Sequence, residues 1–258
     1  MILKPFDPVT RKVFLLLALG QAVVLLLLWT FSPVVAMPSP AEIGVAWNDM
    51  ALTQALLPEL YQSAVTIAKA IVMASVISFG LAFLATAVIF KPIVTWLTAL
   101  RFLGFAGITF LFTLWTSDGA QLKLWLLTFG MSTFLLTNAL SMINSVTQEQ
   151  VDYARTLRLD GWQITYEVVV RGKLDETLDI IRQNAAIGWT LLSMVEGLVR
   201  SEGGIGALLL NQSKHLHLSS IFAIQLTILV YGILQDYFLR YLRTLACPYV
   251  VADMPGKA

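Results

Sequence analysis

Hydrophobic residues run in long uninterrupted stretches along this chain, and polar residues gather between the stretches. Residues 13–31 form 19 consecutive positions without a charge, longer than the apolar part of a secretory signal, and the residues after them make a poor cleavage site. We therefore predict a retained first membrane helix. Similar apolar stretches follow at 64–90, 93–116, 122–146, 180–199 and 219–239. The pattern predicts an all-α, polytopic membrane protein with about six transmembrane helices.

Basic residues are concentrated on one side of these predicted spans. The N-terminal side holds Lys4, Arg11, Lys12, Lys91, Arg155, Arg158, Arg171, Lys173, Arg240, Arg243 and Lys257, whereas the other side holds Lys123, Arg200 and Lys214. Because basic residues favour the cytoplasmic side, we expect both termini to be cytoplasmic. The predicted organisation is a cytoplasmic N-terminus over 1–12, one transmembrane domain over 13–245 and a cytoplasmic tail over 246–258. Residues 41–57 are predicted to lie at the outer membrane interface.

Composition narrows the possible functions. The chain has 57% hydrophobic and 13% charged residues, against about 25% charged in a soluble domain, so the lipid bilayer is its expected solvent. A net charge of +1 gives no nucleic-acid footprint. The sequence has no phosphate-binding loop, His-Glu-x-x-His motif or Gly-x-Ser-x-Gly motif, and an intramembrane enzyme would need a catalytic group that we do not find. We predict no catalytic residue, no metal site at His215 and His217, and no cofactor bound by this chain.

The longest charged segment, residues 147–173, carries the strongest motif. Asp152-Tyr153-Ala154-Arg155-Thr156-Leu157, followed by Trp162-Gln163 and Val168-Val169, resembles the cytoplasmic EAA loop of ABC importer permeases. The similarity is greatest to the sulfonate, taurine, nitrate and bicarbonate group, and it continues without gaps over roughly residues 37–245. The flanking matches include Leu114-Trp115, Gly119, Lys123, Asn138, Trp189, Glu196 and Gly204-Ile205-Gly206.

The resemblance implies the type I importer permease fold in a bacterial inner membrane. It implies separate ATPase subunits that bind ATP and magnesium, a periplasmic or lipid-anchored substrate-binding protein, and a second permease copy in a homodimer or heterodimer. The implied cargo is a small anion, or alternatively a heterocycle related to thiamine precursors. The residues implied in coupling to the ATPase are Asp152, Ala154, Arg155, Leu157, Arg158, Leu159 and Trp162.

The residues of this segment, considered without the resemblance, are also compatible with a short helix that docks onto a partner protein. A short helix over 152–160 would dock through Ala154, Leu157 and Leu159, while its charged side chains cap the ends or pair with carboxylates. The alternative is an amphipathic loop that lies on lipid headgroups. Arg158 and Arg171 replace a glycine and a proline of the family loop, which favours an altered coupling geometry or a non-transporting subunit of a heterodimer.

Polar residues at membrane depth are the candidates for a translocation pathway: Lys69, Trp115, Asn138, Trp189 and Glu196. Each has a structural alternative. Lys69 would reach the interface or pair with a carboxylate on another helix. Glu196 would pair with Arg200 four residues on, and Asn138 and Trp189 would join or pack helices.

Overall fold

The computed structural model describes residues 11–30, 37–53 and 56–248, and the regular elements in these ranges are all helical. Residues 1–10 and 249–258, which include most of the predicted cytoplasmic termini, lie outside the described residues. The helices are α1 (Arg11–Thr30), α2 (Pro40–Thr53), α3 (Leu56–Leu84), α4 (Lys91–Thr98), α5 (Phe105–Trp115), α6 (Gly119–Asn144), α7 (Gln148–Thr156), α8 (Gly161–Ile164), α9 (Leu174–Leu198), α10 (Ile205–Lys214) and α11 (Leu218–Ala246). Single turns over Ala99–Phe102, Thr165–Arg171 and Arg200–Glu202 join neighbouring helices.

Four of the described helices are both long enough and apolar enough to cross a membrane: α1, α3, α6 and α11. They coincide with four of the six predicted spans, so the chain is a helical protein of the multi-pass membrane type. The predicted span over 93–116 is not a continuous helix, because the chain bends by 112° between the segment Lys91–Phe102 and the part of α5 from Gly107 to Trp115. Leu103 and Gly104 have extended backbone there, which ends one helix and begins the next.

The predicted fifth span, 180–199, lies within α9, which does not meet the same test of length and apolarity. The helix begins six residues earlier than predicted and carries Asp175, Glu176, Asp179 and Arg182 in its first half. Its 25 residues extend about 37 Å, which exceeds the hydrocarbon thickness of a bilayer. The count of six spans is therefore not confirmed, whereas the all-helical class is.

Small side chains bring α3 and α6 into close contact at the centre of the bundle. Ala70, Ala74, Ser78 and Ala82 recur at every fourth position of α3, and all four are fully buried. This spacing of small residues lets two helix backbones approach closely, which is the usual basis of helix association in membranes. The Ser78 hydroxyl also donates a hydrogen bond to the Ser132 carbonyl of α6 at 2.9 Å. Helices α3 and α6 run parallel to each other, and α9 packs against both of them to complete the core.

Helices α4 and α5 pack on α6, whereas α2 and α10 are arranged around α9 and α11. The Trp189 indole N–H of α9 donates to Gln235 of α11 at 2.7 Å, and the indole lies edge-on to Tyr231 with 5.1 Å between ring centroids. Helix α2 packs on α11, where the Trp47 N–H donates to the Thr227 hydroxyl at 3.1 Å. Of the stretch 41–57, which is predicted to lie at the outer interface, the residues up to Thr53 belong to α2 and those from Leu56 onward belong to α3.

The fold places the charged segment 147–173 and the glycine-rich loop at residues 203–206 at opposite ends of α3. Glu59, in the first turn of α3, accepts a hydrogen bond from the Gly204 N–H. Beyond the last turn of α3, the Thr86 hydroxyl accepts a bond from Thr165 at 3.4 Å. We call these the loop end and the segment end of the bundle.

Candidate functional site

The segment 147–173 folds into two short helices and a π-helical turn. Helix α7 begins after Thr147, whose hydroxyl accepts from the Gln150 N–H while the Gln150 side chain accepts from the Thr147 N–H. This reciprocal cap fixes the start of α7. The predicted helix over 152–160 is displaced toward the N-terminus. The cap starts α7 at Gln148, and α7 ends at Thr156.

Arg158 turns the chain between α7 and α8. Its backbone has φ of 59°, in the left-handed region that glycine adopts freely and side chains with a Cβ resist. In the EAA loop that this segment resembles, a glycine stands at this position. The arginine takes the backbone conformation that glycine would favour, so the chain makes the turn at a conformational cost.

We predict that Arg158→Gly raises the free energy of unfolding by about 1 kcal/mol, since it removes a strained left-handed side chain. Thermal unfolding of the purified protein in detergent measures the change. Arg155→Gly is the control. Arg155 lies within α7, and glycine in a helix lowers stability by about 1 kcal/mol. The two variants should shift the melting temperature in opposite directions. Destabilisation by both would contradict strain at Arg158.

Large apolar side chains are exposed on this otherwise polar segment. Tyr153, Leu157, Trp162 and Tyr166 are between 55% and 70% exposed. Both tyrosines are absent from the predicted coupling set, although the alternation of aromatic and charged residues could have indicated them. Apolar side chains grouped on a charged surface are typical of protein interfaces.

The other predicted coupling residues have different surroundings. Ala154 is buried within the chain, so it does not contribute to this exposed surface, and Leu159 is half-buried. Asp152 accepts a hydrogen bond from Arg155 at 2.9 Å on the surface of α7. The predicted coupling residues thus divide into an exposed group around Leu157 and Trp162 and an internal group at Ala154 and Leu159.

Ion pairs join α9 to α11 near the segment end. Arg182 bridges Asp179 and Asp236 at 3.0 and 2.6 Å, and Arg243 pairs with Asp179 at 3.1 Å. Asp179 precedes the predicted span 180–199. Burial alone would raise the pKa of Asp179, but hydrogen bonds from Gln183 and Arg182 and the charges of both arginines lower it below its usual value. Its stabilising contribution is therefore complete at neutral pH and decreases as the pH falls through this lowered pKa.

The five predicted pathway residues do not meet in one site. Lys69 on α3 and Asn138 on α6 are exposed and form no side-chain hydrogen bond with the described residues, and Trp115 is 90% exposed at the end of α5. Trp189 is buried in its contact with Gln235 and Tyr231. None of the five lines the cavity of about 800 Å³ at the segment end.

Glu196 lies in a buried polar junction that joins three helices at the loop end. Its carboxylate is fully buried and accepts hydrogen bonds from the Ser63 hydroxyl at 2.6 Å and the Gly206 N–H at 2.8 Å. The Ser63 oxygen in turn accepts from the Ile205 N–H at 2.9 Å. The expected pairing of Glu196 with Arg200 is absent, since Arg200 instead donates to the Gly197 carbonyl at 3.2 Å. Glu196 thus fixes the glycine-rich loop to α3 and α9.

Lys123 completes the junction from α6. Its side chain is 2% exposed, and its ammonium donates to the carbonyls of Gly203 at 2.9 Å and Glu202 at 3.2 Å. Gly203 and Gly204 have φ of 65° and 105°, conformations that turn the loop so that its carbonyls face Lys123 and its N–H groups face carboxylates. A buried cation is stabilised in this way by acceptors that carry no full charge.

No family model matches this chain, and no curated protein matches it either. A function for the chain therefore rests on its motif residues and on the geometry described above.

Proposed function

We propose that this chain is the membrane-spanning permease subunit of an ATP-driven, binding-protein-dependent ABC importer in a bacterial inner membrane. The observation that carries the proposal is the segment 147–173, where α7, α8 and the residues directly after them carry four exposed large apolar side chains. We call the side chains of Tyr153, Leu157, Trp162 and Tyr166 the docking patch. A rigid helix with exposed apolar side chains is suited to binding a groove on a partner protein.

The segment also has the connections that coupling requires. Thr165 contacts Thr86 beyond the end of α3 at 3.4 Å, and the π-helical turn Thr165–Arg171 leads directly into α9. Movement of a partner bound to the docking patch would therefore act on two helices of the core. In the proposed mechanism, a separate ATPase pair binds ATP and magnesium, closes, and biases the membrane helices between two states.

The proposed cargo is a small anion of the sulfonate, nitrate or bicarbonate type, delivered by a substrate-binding protein at the loop end. A second permease copy, identical or related, would supply the other half of the pathway. Lys69 and Asn138 support this arrangement, because polar side chains exposed on apolar helices are expected to face a protein partner or a water-filled path. This chain would itself hydrolyse no ATP.

Reconstitution in proteoliposomes tests the proposal. The chain is combined with ABC ATPase and substrate-binding proteins from the same organism, and ATP hydrolysis is measured while taurine, other sulfonates, nitrate and bicarbonate are added in turn. We expect at least one solute to stimulate hydrolysis and to accumulate in the vesicles. If no ATPase binds the chain, the transport function is wrong. If an ATPase binds but none of these solutes stimulates it, only the cargo is wrong.

A further inference from the structure

A cavity of about 800 Å³ opens at the segment end, between the membrane helices and the segment 147–173. Its walls come from the end of α3, from α4, from the last turns of α6 and from the residues of α7 and α8 that face the bundle. The volume is within the range of about 300–1,000 Å³ typical of small-molecule sites. The cavity holds none of the predicted pathway residues, so it is distinct from the pathway that the sequence predicts.

Two helices present polar stripes to this cavity. On α4 the stripe is Lys91, Thr95 and Thr98, and on α6 it is Thr137, Ser141 and Asn144. Both stripes have the spacing i, i+4, i+7, which places three side chains on one face of a helix. Polar residues on one face of such apolar helices are costly in lipid, and the cavity gives them a polar environment.

The lining carries two cations, and no carboxylate is among the described residues that line the cavity. Lys91 and Arg155 are the charged residues among the described residues that line the cavity. The Lys91 ammonium forms no hydrogen bond or ion pair with a described residue, and the same holds for the side chains of Ser141 and Asn144. One guanidinium nitrogen of Arg155 bonds to Asp152, which is not part of the lining, and its other nitrogens remain as donors.

From this arrangement we infer that the cavity binds a small oxyanion, held between Lys91 of α4 and Arg155 of α7. Ammonium and guanidinium groups form strong charge-assisted hydrogen bonds with phosphate, sulfate and sulfonate oxygens. Ser141 and Asn144 supply neutral donors on the α6 side. A bound oxyanion would connect the segment 147–173 to α4 and α6 through hydrogen bonds from Lys91, Arg155 and the neutral donors of α6.

Binding of this anion is argued from the cavity alone, while its consequence for coupling rests on the proposed function. An anion that bridges α4 and α7 would restrain α7 relative to the membrane helices and so change how ATPase closure reaches them. The oxyanion could come from the aqueous phase or from the phosphate of a lipid headgroup, since both present the same chemistry to Lys91 and Arg155.

Calorimetric titration of the purified full chain tests the inference, without any ATPase. The probes are sodium sulfate and sodium phosphate, and sodium chloride keeps the ionic strength constant so that general charge screening is matched. One preparation is in nanodiscs of phosphatidylcholine and the other in nanodiscs that contain phosphatidylglycerol. We expect saturable binding in phosphatidylcholine, weakened at least tenfold by Lys91→Ala and by Arg155→Ala, and largely retained by Lys91→Arg. Lys214→Ala is the matched control, because Lys214 lies in the last turn of α10 and does not line the cavity.

The lipid arm identifies the source of the anion. If phosphatidylglycerol competes with sulfate in the unmodified chain but not in Lys91→Ala, the site takes a headgroup phosphate. If it does not compete, the site takes free anions. Absence of binding in both preparations, or binding that neither substitution changes, would overturn the inference. Failure of an ATPase to associate would leave this result unaffected, so the two proposals fail separately.

Discussion

Replacing Gly204 with alanine is expected to lower the free energy of unfolding by about 3 kcal/mol or more, from backbone strain and overpacking together. The backbone at Gly204 has φ of 105°, which side chains with a Cβ rarely adopt, and an added Cβ would overlap the buried Glu196 carboxyl group. Either the loop or Glu196 must then move. Because Glu196 holds Ser63 and the Gly206 N–H, a shift of Glu196 leaves buried donors without acceptors. Thermal unfolding in detergent measures the loss.

Gly197→Ala provides the matched control for this change. Gly197 lies in α9, and an added Cβ there would meet Leu210 at 3.6 Å, an ordinary van der Waals distance. Alanine is also the better helix former, so Gly197→Ala should leave stability equal or slightly higher. The double variant Glu196→Ala/Gly204→Ala tests the overlap directly, since it should be less destabilised than the sum of its single variants. If the two substitutions instead destabilise the chain additively, the loss at Gly204→Ala comes from backbone strain alone and not from overlap with Glu196.

Replacing Leu157 with aspartate and Trp162 with alanine is expected to weaken ATPase binding by about 100-fold, because exposed apolar anchors provide most of the affinity of such interfaces. Both side chains are more than half exposed, so their replacement should leave the melting temperature of the isolated chain nearly unchanged. Binding is measured between the chain in nanodiscs and the purified ATPase. Loss of ATPase binding without loss of stability would identify the docking patch as the surface that contacts the ATPase.

Trp96→Ala is the control for the docking patch. Trp96 is 71% exposed, comparable with Trp162, but it lies on α4 outside the segment 147–173. Its removal should not change ATPase affinity. If the Leu157→Asp/Trp162→Ala variant binds the ATPase as tightly as the unmodified chain does, the docking patch is not the contact surface, and the proposed route of coupling is wrong.

Hydropathy predicts the long helices of this fold because each contains about 20 apolar residues with few charges. It gives no information on the direction of the chain, so residues 93–116 are predicted as one span although Leu103 and Gly104 are extended and divide it. The early start of α9 has a different cause. Its first turns carry charges that pair with α11, and those pairs form only in the folded chain.

The motif indicates where the segment 147–173 lies in the sequence, but it does not indicate which of its side chains are exposed. The motif identifies Leu157 and Trp162, which are exposed, but it also includes Ala154, which is buried where α7 packs against α8 and the π-helical turn. The start of α7 could have been predicted from Thr147 and Gln150, which are spaced as in a capping box.

The polar junction around Glu196 could not be predicted from local spacing. Arg200 is the nearest basic residue along the chain, yet the hydrogen-bond partner of Glu196 on α3 is Ser63, which precedes it by 133 positions. Lys123, predicted to lie at the outer end of the span 122–146, is buried and bound to loop carbonyls. These hydrogen bonds form only when the helices pack together, because each helix by itself leaves a polar side chain without a hydrogen-bond partner.

Helix α3 gives the molecule a mechanical connection between its two ends. It extends over 29 residues, about 43 Å, and its stripe of small side chains holds it closely against α6 along much of that length. Its first turn contacts the Gly204 N–H, and the residue Thr86 just beyond its end contacts Thr165. Because α3 is packed against α6 along much of its length, a displacement at Thr165 would reach the glycine-rich loop through a joint movement of α3 and the α6 face that packs on it.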